Sequence, residues 1–393
     1  MKNIDLNNVQ TAFVYKSDSE LRKSLLIYKL IQKPFLVKYL SKIAGWILKY
    51  KLPLKFVLKN TVFEIFCAGQ NRDEASRTIA KLKMHGVNTV LDYVAEGDNS
   101  DESFKVNLNT ILTNILFVSD QSTDAFVGVK LSGLEDVDFI KLVELNKGTF
   151  SDKIKQRMHV FIDRVDQICS LANEKNVKVY FDAEERSTQD VYDFIVESMM
   201  RKYNSERVIV YNTLQMYLKD RISYLEYAIE DAKKGNFLVG MKLVRGAYVE
   251  KEREYALIAG VVSPVFNTKQ ETDDSFNEAV EICLKENDIV HTCLATHNQK
   301  SVELAINLIE KLNITDHHQK VYFSQLFGMS DNLTFNLAKN HYNSSKYVPY
   351  GEVEKAIPYL LRRAEENSSI EGQVNREYEL LRQENQRRNR ISR

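Results

Sequence analysis

The chain has 393 residues, of which 44% are hydrophobic, so it can bury one large core or two ordinary ones, and we expect a globular protein. Lysine and arginine total 54, as do aspartate and glutamate, and this balance gives no field that would attract nucleic acid. The four cysteines, Cys67, Cys169, Cys283 and Cys293, form no CxxC pair. They therefore predict a reducing compartment, with neither a disulfide framework nor a metal site.

Residues 1–84 predict a helical amino-terminal arm that is basic and amphipathic. No acidic residue occurs from Leu21 to Phe63, where lysines alternate with apolar runs such as FLVKYL and GWILKY. Such a segment can lie on an anionic membrane surface or pack as an arm with solvated lysines, and we favour the packing arm. No run reaches the ~20 apolar residues of a spanning helix, so we expect a soluble or peripheral protein. The amino terminus resembles neither a secretory signal nor a transit peptide, so the mature chain begins here or follows a removed targeting segment.

After Gly86, eight β-rich runs alternate with longer charged stretches that favour helix. The runs are NTVLDYV, FVGVKLS, VKVYFDAEE, RVIVYNTLQ, FLVGMKLVRGA, TCLATHN, KVYFSQLFG and SKYVPYG. This alternation predicts an α/β fold, a (β/α)8 barrel over residues 85–370, followed by a charged tail over 371–393. A doubly wound open sheet is the alternative, but the glycine-rich GxGxxG turn typical of it does not occur.

Polar residues stand at or just after the ends of these predicted strands. They are Asp92, Glu96, Lys130, Asp182, Glu184, Glu185, Gln215, Lys242, Arg245, Thr296, His297, Asn298, Gln325 and Tyr347. Solvation alone would spread charge over the helices, whereas barrel enzymes place their functional groups at the carboxyl ends of strands. The pattern favours a functional site, and its lysines and arginines suit a substrate carboxylate or a phosphorylated cofactor. We find no HExxH zinc spacing, GxSxG elbow or Cys/His signature.

The stretch YLLRRAEEN, residues 359–367, predicts a helix with two functions on its two faces. Leu360, Leu361 and Ala364 lie on an apolar stripe, and Tyr359, Arg362, Arg363 and Glu366 share the other side. Glu366 is one turn from both arginines and can orient them. An exposed salt bridge and a functional arginine pair are both compatible with this spacing.

Six motifs in order resemble the proline dehydrogenase family of FAD-dependent enzymes: DAEE, QMYLKD, KLVRGAYVEKE, LATHN, QLFGM and YLLRRAEENSS. The resemblance covers roughly Val87 to Ser369 and implies a distorted (β/α)8 barrel. The chain ends soon after the last motif, so it resembles a monofunctional member without an aldehyde dehydrogenase domain.

The resemblance implies roles for residues that match the family's motifs. Arg362 and Arg363 would hold the proline carboxylate, with Glu366 and Glu96 as their partners. Asp182 and Lys242 would be the catalytic pair, and Lys130 would orient the substrate. The wall over the substrate ring would comprise Leu326, Tyr347 and Tyr359.

The same resemblance implies FAD contacts at the ends of the later strands. The matching cofactor residues are Gln215, Val244, Arg245, Gly246, Ala247, Thr296, His297, Asn298, Gln325 and Glu366. Lys242 stands where many relatives have arginine, so the charge is kept but not the forked geometry. Val249 stands where some relatives have tryptophan.

The implied reaction is oxidation of L-proline to 1-pyrroline-5-carboxylate, with hydride transfer to flavin N5 and electrons passed on to a membrane quinone. The implied location is cytoplasmic, with peripheral contact at the inner face of the membrane, or mitochondrial in a eukaryote. Three alternatives stay open: a hydroxyproline dehydrogenase, a flavin-free barrel hydrolase or lyase acting on a carboxylated substrate, and a catalytically silent membrane-associated barrel.

Overall fold

The structure is a computed structural model that describes residues 4–33, 63–94, 99–122, 124–146, 150–356 and 373–391. Eight parallel strands follow one another in a closed barrel. They are β1 (Asn88–Tyr93), β2 (Ala125–Lys130), β3 (Val177–Asp182), β4 (Val210–Gln215), β5 (Val239–Val244), β6 (Val290–Ala295), β7 (Val321–Leu326) and β8 (Asn343–Tyr350). The (β/α)8 barrel predicted from the alternation of strand and helix signals is therefore confirmed.

Helices precede, separate and follow the strands. In the described residues they are α1 (Val9–Ala12), α2 (Asp18–Ile31), α3 (Glu64–Phe66), α4 (Arg72–Lys83), α5 (Asp101–Ser119), α6 (Val137–Leu145), α7 (Asp152–Lys175), α8 (Arg186–Tyr203), α9 (Arg221–Gly235), α10 (Val249–Ala259), α11 (Lys269–Lys285), α12 (Gln299–Lys311), α13 (His317–Lys320), α14 (Asp331–Lys339) and α15 (Gln373–Ile391).

Local sequence fixes several helix boundaries. Ser17 begins α2 with a capping box, because its hydroxyl accepts from the Glu20 backbone N–H while the Glu20 carboxylate accepts from the Ser17 N–H. Thr268 and Glu271 repeat this arrangement at α11. Asn176 ends α7 in the left-handed conformation, which asparagine tolerates better than most residues.

The chain divides into two compact units, and Gly97–Phe323 forms the first. Its strands β2 to β6 pair in parallel, with Lys130 opposite Asp182 and Gln215 opposite Val244. Inside this part of the barrel, aromatic rings pack with centroids 5.0 Å apart; the pairs are Phe126–Tyr180, Phe126–Tyr322 and Tyr180–Tyr211. Large rings therefore fill the interior beneath the strand ends.

The second unit combines Lys2–Glu96 with Ser324–Arg393. In it β1 pairs in parallel with β8, and Val90 lies opposite Tyr347. Helices α1, α2 and α15 share one hydrophobic cluster that includes Phe13, Leu21 and Leu381. Residues 373–391, within the predicted charged tail, form the helix α15 with Leu380 and Leu381 buried.

The sequence predicts no membrane-spanning helix and no disulfide framework. Among the described residues, no helix has both the length and the hydropathy to cross a membrane. The lysine-rich segment of the arm lies largely in 34–62, outside the described residues. All four cysteines are buried and carry free thiols.

Candidate active site

An aspartate and two lysines of the first unit meet at or near the carboxyl ends of β2, β3 and β5. Lys242 Nζ lies 2.5 Å from Asp182 Oδ1, and Lys130 Nζ lies 3.9 Å from Asp182 Oδ2. The Lys242 side chain is 7% exposed and the Asp182 side chain 16%, whereas Lys130 is more open at 37%. The ammonium groups of Lys130 and Lys242 thus face the single carboxylate of Asp182. These three side chains together carry one net positive charge.

Gln215, at the end of β4, is buried and links the loops that follow β3 and β5. Its Nε2 donates to the Glu184 carbonyl over 2.6 Å, and its Oε1 accepts from the Ala247 backbone N–H over 3.4 Å. The Glu184 carboxylate accepts from the Ser132 backbone N–H. Burial raises the pKa of Glu184 despite that hydrogen bond. Because both the nitrogen and the oxygen of the Gln215 amide are hydrogen bonded, the amide has a fixed orientation.

Arg245 follows β5 and joins it to the elements around β6. Its guanidinium donates to Asp273 over 2.5 Å, to Thr296 Oγ1 over 2.7 Å and to Ser301 Oγ over 2.9 Å. Thr296 Oγ1 also accepts from the Asn298 backbone N–H. Through these three hydrogen bonds, the guanidinium group connects the loop after β5 to α11 and to the loop and helix after β6.

Asn298 begins α12, where its Oδ1 accepts from the backbone N–H groups of Lys300 and Ser301. His297 precedes it and is half-buried. Both lie in the segment directly after β6, together with Thr296.

Gly246 has a φ of +117°, and a Cβ placed there would lie 1.7 Å from Tyr217 Cδ1. Only glycine fits, because the position needs an unusual backbone conformation and a close approach to a buried ring. Val244 and Ala247 belong to the same segment, in which the Val244 and Arg245 carbonyls accept from the Met216 and Tyr217 N–H groups over 2.8 and 2.9 Å. The Tyr217 hydroxyl is buried and finds no hydrogen-bond partner among the residues that the structure describes.

Three of the predicted site residues that the structure describes lie in the second unit. Gln325 is buried, and its Oε1 accepts from the Thr334 hydroxyl over 2.7 Å. Leu326 ends β7 and is half-buried. Tyr347 is 7% exposed, and its carbonyl accepts from the Phe327 N–H over 2.9 Å. Tyr347 does not end its strand, because β8 continues to Tyr350.

The remaining predicted residues lie outside the described part of the chain. They are Glu96, Tyr359, Arg362, Arg363 and Glu366. The roles of the arginines and glutamates at a substrate carboxylate, of Glu366 at the cofactor and of Tyr359 over the substrate ring stay predictions.

Sequence reasoning missed several residues that fix the positions of the predicted ones. Tyr217 supports Gly246, Asp273 and Ser301 hold Arg245, and Lys346 in β8 makes a 2.8 Å ion pair with Asp331. Lys346 had a detectable signal, since a lysine within the run SKYVPYG needs a partner if that strand is buried. The partners themselves are distant in sequence and carried no such signal.

Comparison with known proteins is consistent with this geometry. The family model described as proline dehydrogenase matches residues 75–376. The chain belongs to the proline dehydrogenase family. It is 31% identical to "Proline dehydrogenase 1, mitochondrial" of Dictyostelium discoideum over 92% of this chain and 71% of the relative. It is also 27% identical to "Hydroxyproline dehydrogenase" of Xenopus laevis, over 96% of this chain and 88% of that protein.

Among solved structures, proline utilization A (PutA) from Bdellovibrio bacteriovorus inactivated by N-propargylglycine superposes with a TM-score of 0.72. The two are 22% identical, and the alignment covers 81% of this chain and 35% of the PutA chain. The present chain thus spans about a third of that protein's length, and the likeness supports the barrel fold.

Proposed function

We propose that the protein is an FAD-dependent dehydrogenase that oxidises L-proline to 1-pyrroline-5-carboxylate. The observation that carries this proposal is the position of Asp182, at the end of β3, between Lys130 at the end of β2 and Lys242 near the end of β5. In a family of proline dehydrogenases, such a charged cluster suits an amino-acid substrate that bears both a carboxylate and an amine.

The residues at the ends of β4, β5 and β6 fit a flavin nucleotide. Gly246 admits no side chain, so a ligand can approach its backbone, and the Gln215 amide has a fixed orientation. Lys242 adds a positive charge, which suits a ring that gains electron density on reduction. We infer that Gln215, Lys242 and the segment 244–247 hold the ring and ribityl chain, and that Thr296, His297 and Asn298 hold the nucleotide end. Gln325 and Glu366 complete the proposed cofactor contacts. Bound FAD would supply the two-electron acceptor that takes hydride from the substrate.

Residues of the chain bind the substrate carboxylate and accept the proton of the substrate ammonium. Lys130 is the more exposed lysine and attracts the carboxylate of an incoming amino acid. A carboxylate oxygen of Asp182 receives the proton that the proline ammonium must lose, while Lys242 keeps that carboxylate in position. Leu326, Tyr347 and Tyr359 pack on the apolar ring, and Arg362 and Arg363 form bidentate contacts with the carboxylate.

We also propose that a membrane quinone is the electron acceptor, reached by peripheral contact of the basic arm with the bilayer. The acid-free sequence from Leu21 to Phe63 supports this arrangement, because lysines alternating with apolar runs suit an anionic surface. Such contact would place the protein at the inner face of a bacterial membrane, or in the mitochondrion if the source is eukaryotic.

The test begins with the purified protein and its absorption spectrum. We expect a yellow protein with flavin absorption that bleaches when proline is added without oxygen, and release of FAD on denaturation. A colourless protein that takes up no added FAD would overturn the proposal and favour a flavin-free hydrolase or lyase. A yellow protein that no imino acid bleaches would indicate a catalytically silent barrel.

Hydroxyproline is the second candidate substrate, because the Xenopus laevis relative bears that name. The bulky, buried side chain of Tyr347 favours proline, since a phenol over the ring leaves little room for another oxygen. The ratio of kcat/KM for proline to kcat/KM for 4-hydroxyproline decides between them, and a ratio below one would reverse the assignment.

A further inference from the structure

Four residues after β7, Phe327–Ser330, form a tight connection that we call the β7 turn. Gly328 has a φ of +82° and Ser330 a φ of +48°, so two of the four residues are left-handed. A Cβ on Gly328 would lie 2.2 Å from the Ile65 carbonyl oxygen. Serine rarely adopts this conformation, and such backbone persists only where surrounding contacts determine it.

Three side chains from distant parts of the chain hold the backbone of the β7 turn. The Tyr28 hydroxyl, from α2, donates to the Gly328 carbonyl over 2.7 Å. The Lys346 ammonium, from β8, donates to the Met329 carbonyl. The Glu377 carboxylate, from α15, accepts from the Ser330 N–H over 2.7 Å. Each of these contacts is buried, so each satisfies a backbone group that water cannot reach.

These three side chains are themselves fixed within the second unit. Lys346 pairs with Asp331 at 2.8 Å, and the Tyr15 hydroxyl donates to the same carboxylate at 2.8 Å. Lys16 lies 3.5 Å from Asp331. Glu377 is 5% exposed, and Tyr28 is 3% exposed. The amino-terminal helices and α15 therefore contribute polar groups to the β7 turn as well as apolar packing.

We propose that Tyr28 and Glu377 are positioning residues that set the β7 turn and, through it, the side chain of Leu326. Leu326 directly precedes the turn, its carbonyl accepts from the Met329 N–H over 3.1 Å, and Lys346 Nζ lies 3.5 Å from that same carbonyl. Any rotation of the turn therefore moves Leu326. The inference rests on the proposed function, in which Leu326 packs on the proline ring.

The first measurement is hydrogen–deuterium exchange of the peptide that covers residues 326–331 in the full-length protein without proline. Tyr28→Phe removes one hydroxyl and keeps the ring, and Glu377→Ala removes the acceptor of the Ser330 N–H. We expect exchange in this peptide to accelerate by about tenfold in each variant, because one buried hydrogen bond is lost. Unchanged exchange in both variants would overturn the proposal.

The second measurement is a split between KM and kcat with proline. Displacing one wall of the substrate pocket should raise KM by about tenfold in Tyr28→Phe, with kcat within about twofold. Glu377→Gln keeps an oxygen that can accept from Ser330, so it should restore most of the exchange protection and of the KM that Glu377→Ala loses.

Glu384 provides a matched control on the same helix. Its carboxylate is also buried, but among the described residues it pairs with Arg387 and Arg388 and not with the β7 turn. Glu384→Ala should loosen α15 without changing exchange in 326–331 or KM. Equal changes in Glu384→Ala and Glu377→Ala would reduce Glu377 to a general packing role and overturn the assignment. If the wild-type protein oxidises no imino acid, the proposed function fails, and hydrogen exchange alone then decides whether Tyr28 and Glu377 hold the turn.

Discussion

Lys242 donates a hydrogen bond to Asp182 over 2.5 Å while its ammonium lies 5.4 Å from the centroid of the Tyr180 ring. The ammonium thus has a carboxylate on one side and an aromatic ring on another, an arrangement that stabilises its charge away from bulk water. A second ion pair in the same unit, Lys178–Asp124, has the same 2.5 Å separation but belongs to the start of β3.

These two pairs provide the first prediction. Lys242→Met should lower kcat/KM for proline by about 100-fold, because it removes a charge at the reacting centre and leaves Asp182 with the more distant Lys130. Lys178→Met removes a similar pair at the opposite strand end and should lower the melting temperature while keeping kcat/KM within about threefold. Steady-state kinetics and thermal denaturation distinguish the two. Equal losses of activity would show that Lys242 acts only through stability.

The second prediction concerns the backbone at Gly246. Gly246→Ala should lower the flavin content of purified protein several-fold, because the new methyl group would collide with the Tyr217 ring and displace the segment 244–247. Gly260→Ala is the control: its φ is also positive, at +66°, but a Cβ there meets nothing within 4 Å. The ratio of flavin to protein absorbance provides the measurement. A normal ratio in Gly246→Ala would exclude this segment from cofactor binding.

The third prediction tests the substrate wall. Tyr347→Ser should lower proline turnover and raise the relative use of 4-hydroxyproline by about tenfold, since the phenol no longer occupies the space near the ring. Tyr350→Ser changes a buried tyrosine of the same strand that packs against Tyr93, with centroids 5.2 Å apart. It should lower stability and leave the ratio of the two kcat/KM values unchanged. If both variants shift that ratio alike, Tyr347 has no special role in selectivity.

The fourth prediction concerns the arginine pair, which lies outside the described residues. Arg362→Lys and Arg363→Lys should each raise KM for proline by about tenfold or more with normal flavin content, because an ammonium cannot replace a bidentate guanidinium. Arg382→Lys alters an exposed arginine 3.4 Å from Glu379 and should have almost no effect, as exposed ion pairs contribute only ~0–1 kcal/mol. Wild-type kcat/KM in both lysine variants would instead favour a structural salt bridge.

The fifth prediction follows from the pKa of Glu377, which burial raises to about 7, with the Asp331 carboxylate adding to the effect and Lys346 opposing it. Tyr28 also faces this carboxylate. The folded protein binds more protons here than the unfolded chain between pH ~4.5 and ~7, so this group lowers the free energy of unfolding as pH rises through that window. The melting temperature of Glu377→Gln relative to wild type should therefore increase from pH 5 to pH 8.

Glu384→Gln is the control for this pH dependence. Burial alone would raise the pKa of Glu384, but Arg387 and Arg388 outweigh it and hold the pKa below its ordinary value. The stability that Glu384 provides is present above its unfolded pKa of ~4.5 and is lost only at lower pH. Its substitution should thus lower the melting temperature by a constant amount from pH 5 to pH 8. A parallel constant shift in Glu377→Gln would contradict the raised pKa of Glu377.

The barrel could be predicted from sequence because its signal is repeated and local. Each strand is a short apolar run, and β2 to β6 end in, or are directly followed by, a polar residue. Lys130, Asp182 and Gln215 are the last residues of their strands, as the sequence indicated. Lys242 lies two residues before the end of β5, and β4 separates that strand from β3, so its ion pair with Asp182 could not be predicted from strand ends alone.

The supports of the site were beyond prediction because they join positions far apart in sequence. Glu377 contacts Ser330 from 47 positions away and Tyr28 contacts Gly328 across 300. Such contacts depend on how the helices pack, and periodicity does not encode their partners. The sequence of α15 was interpreted as a charged tail because its charged residues outnumber its apolar ones. The few apolar residues that pack in the core, such as Leu381, form no long stripe along the helix.

The hydrogen bond between Glu377 and Ser330 has a consequence for the order in which the protein matures during synthesis. A ribosome delivers the chain from the amino terminus, so β7 and its turn emerge well before residue 377 is added. Until then the Ser330 N–H lacks its acceptor, and the left-handed backbone of the turn lacks one of the contacts that hold it. We therefore expect a nascent chain to acquire the barrel before it acquires affinity for substrate, and only a chain extended through α15 to be competent.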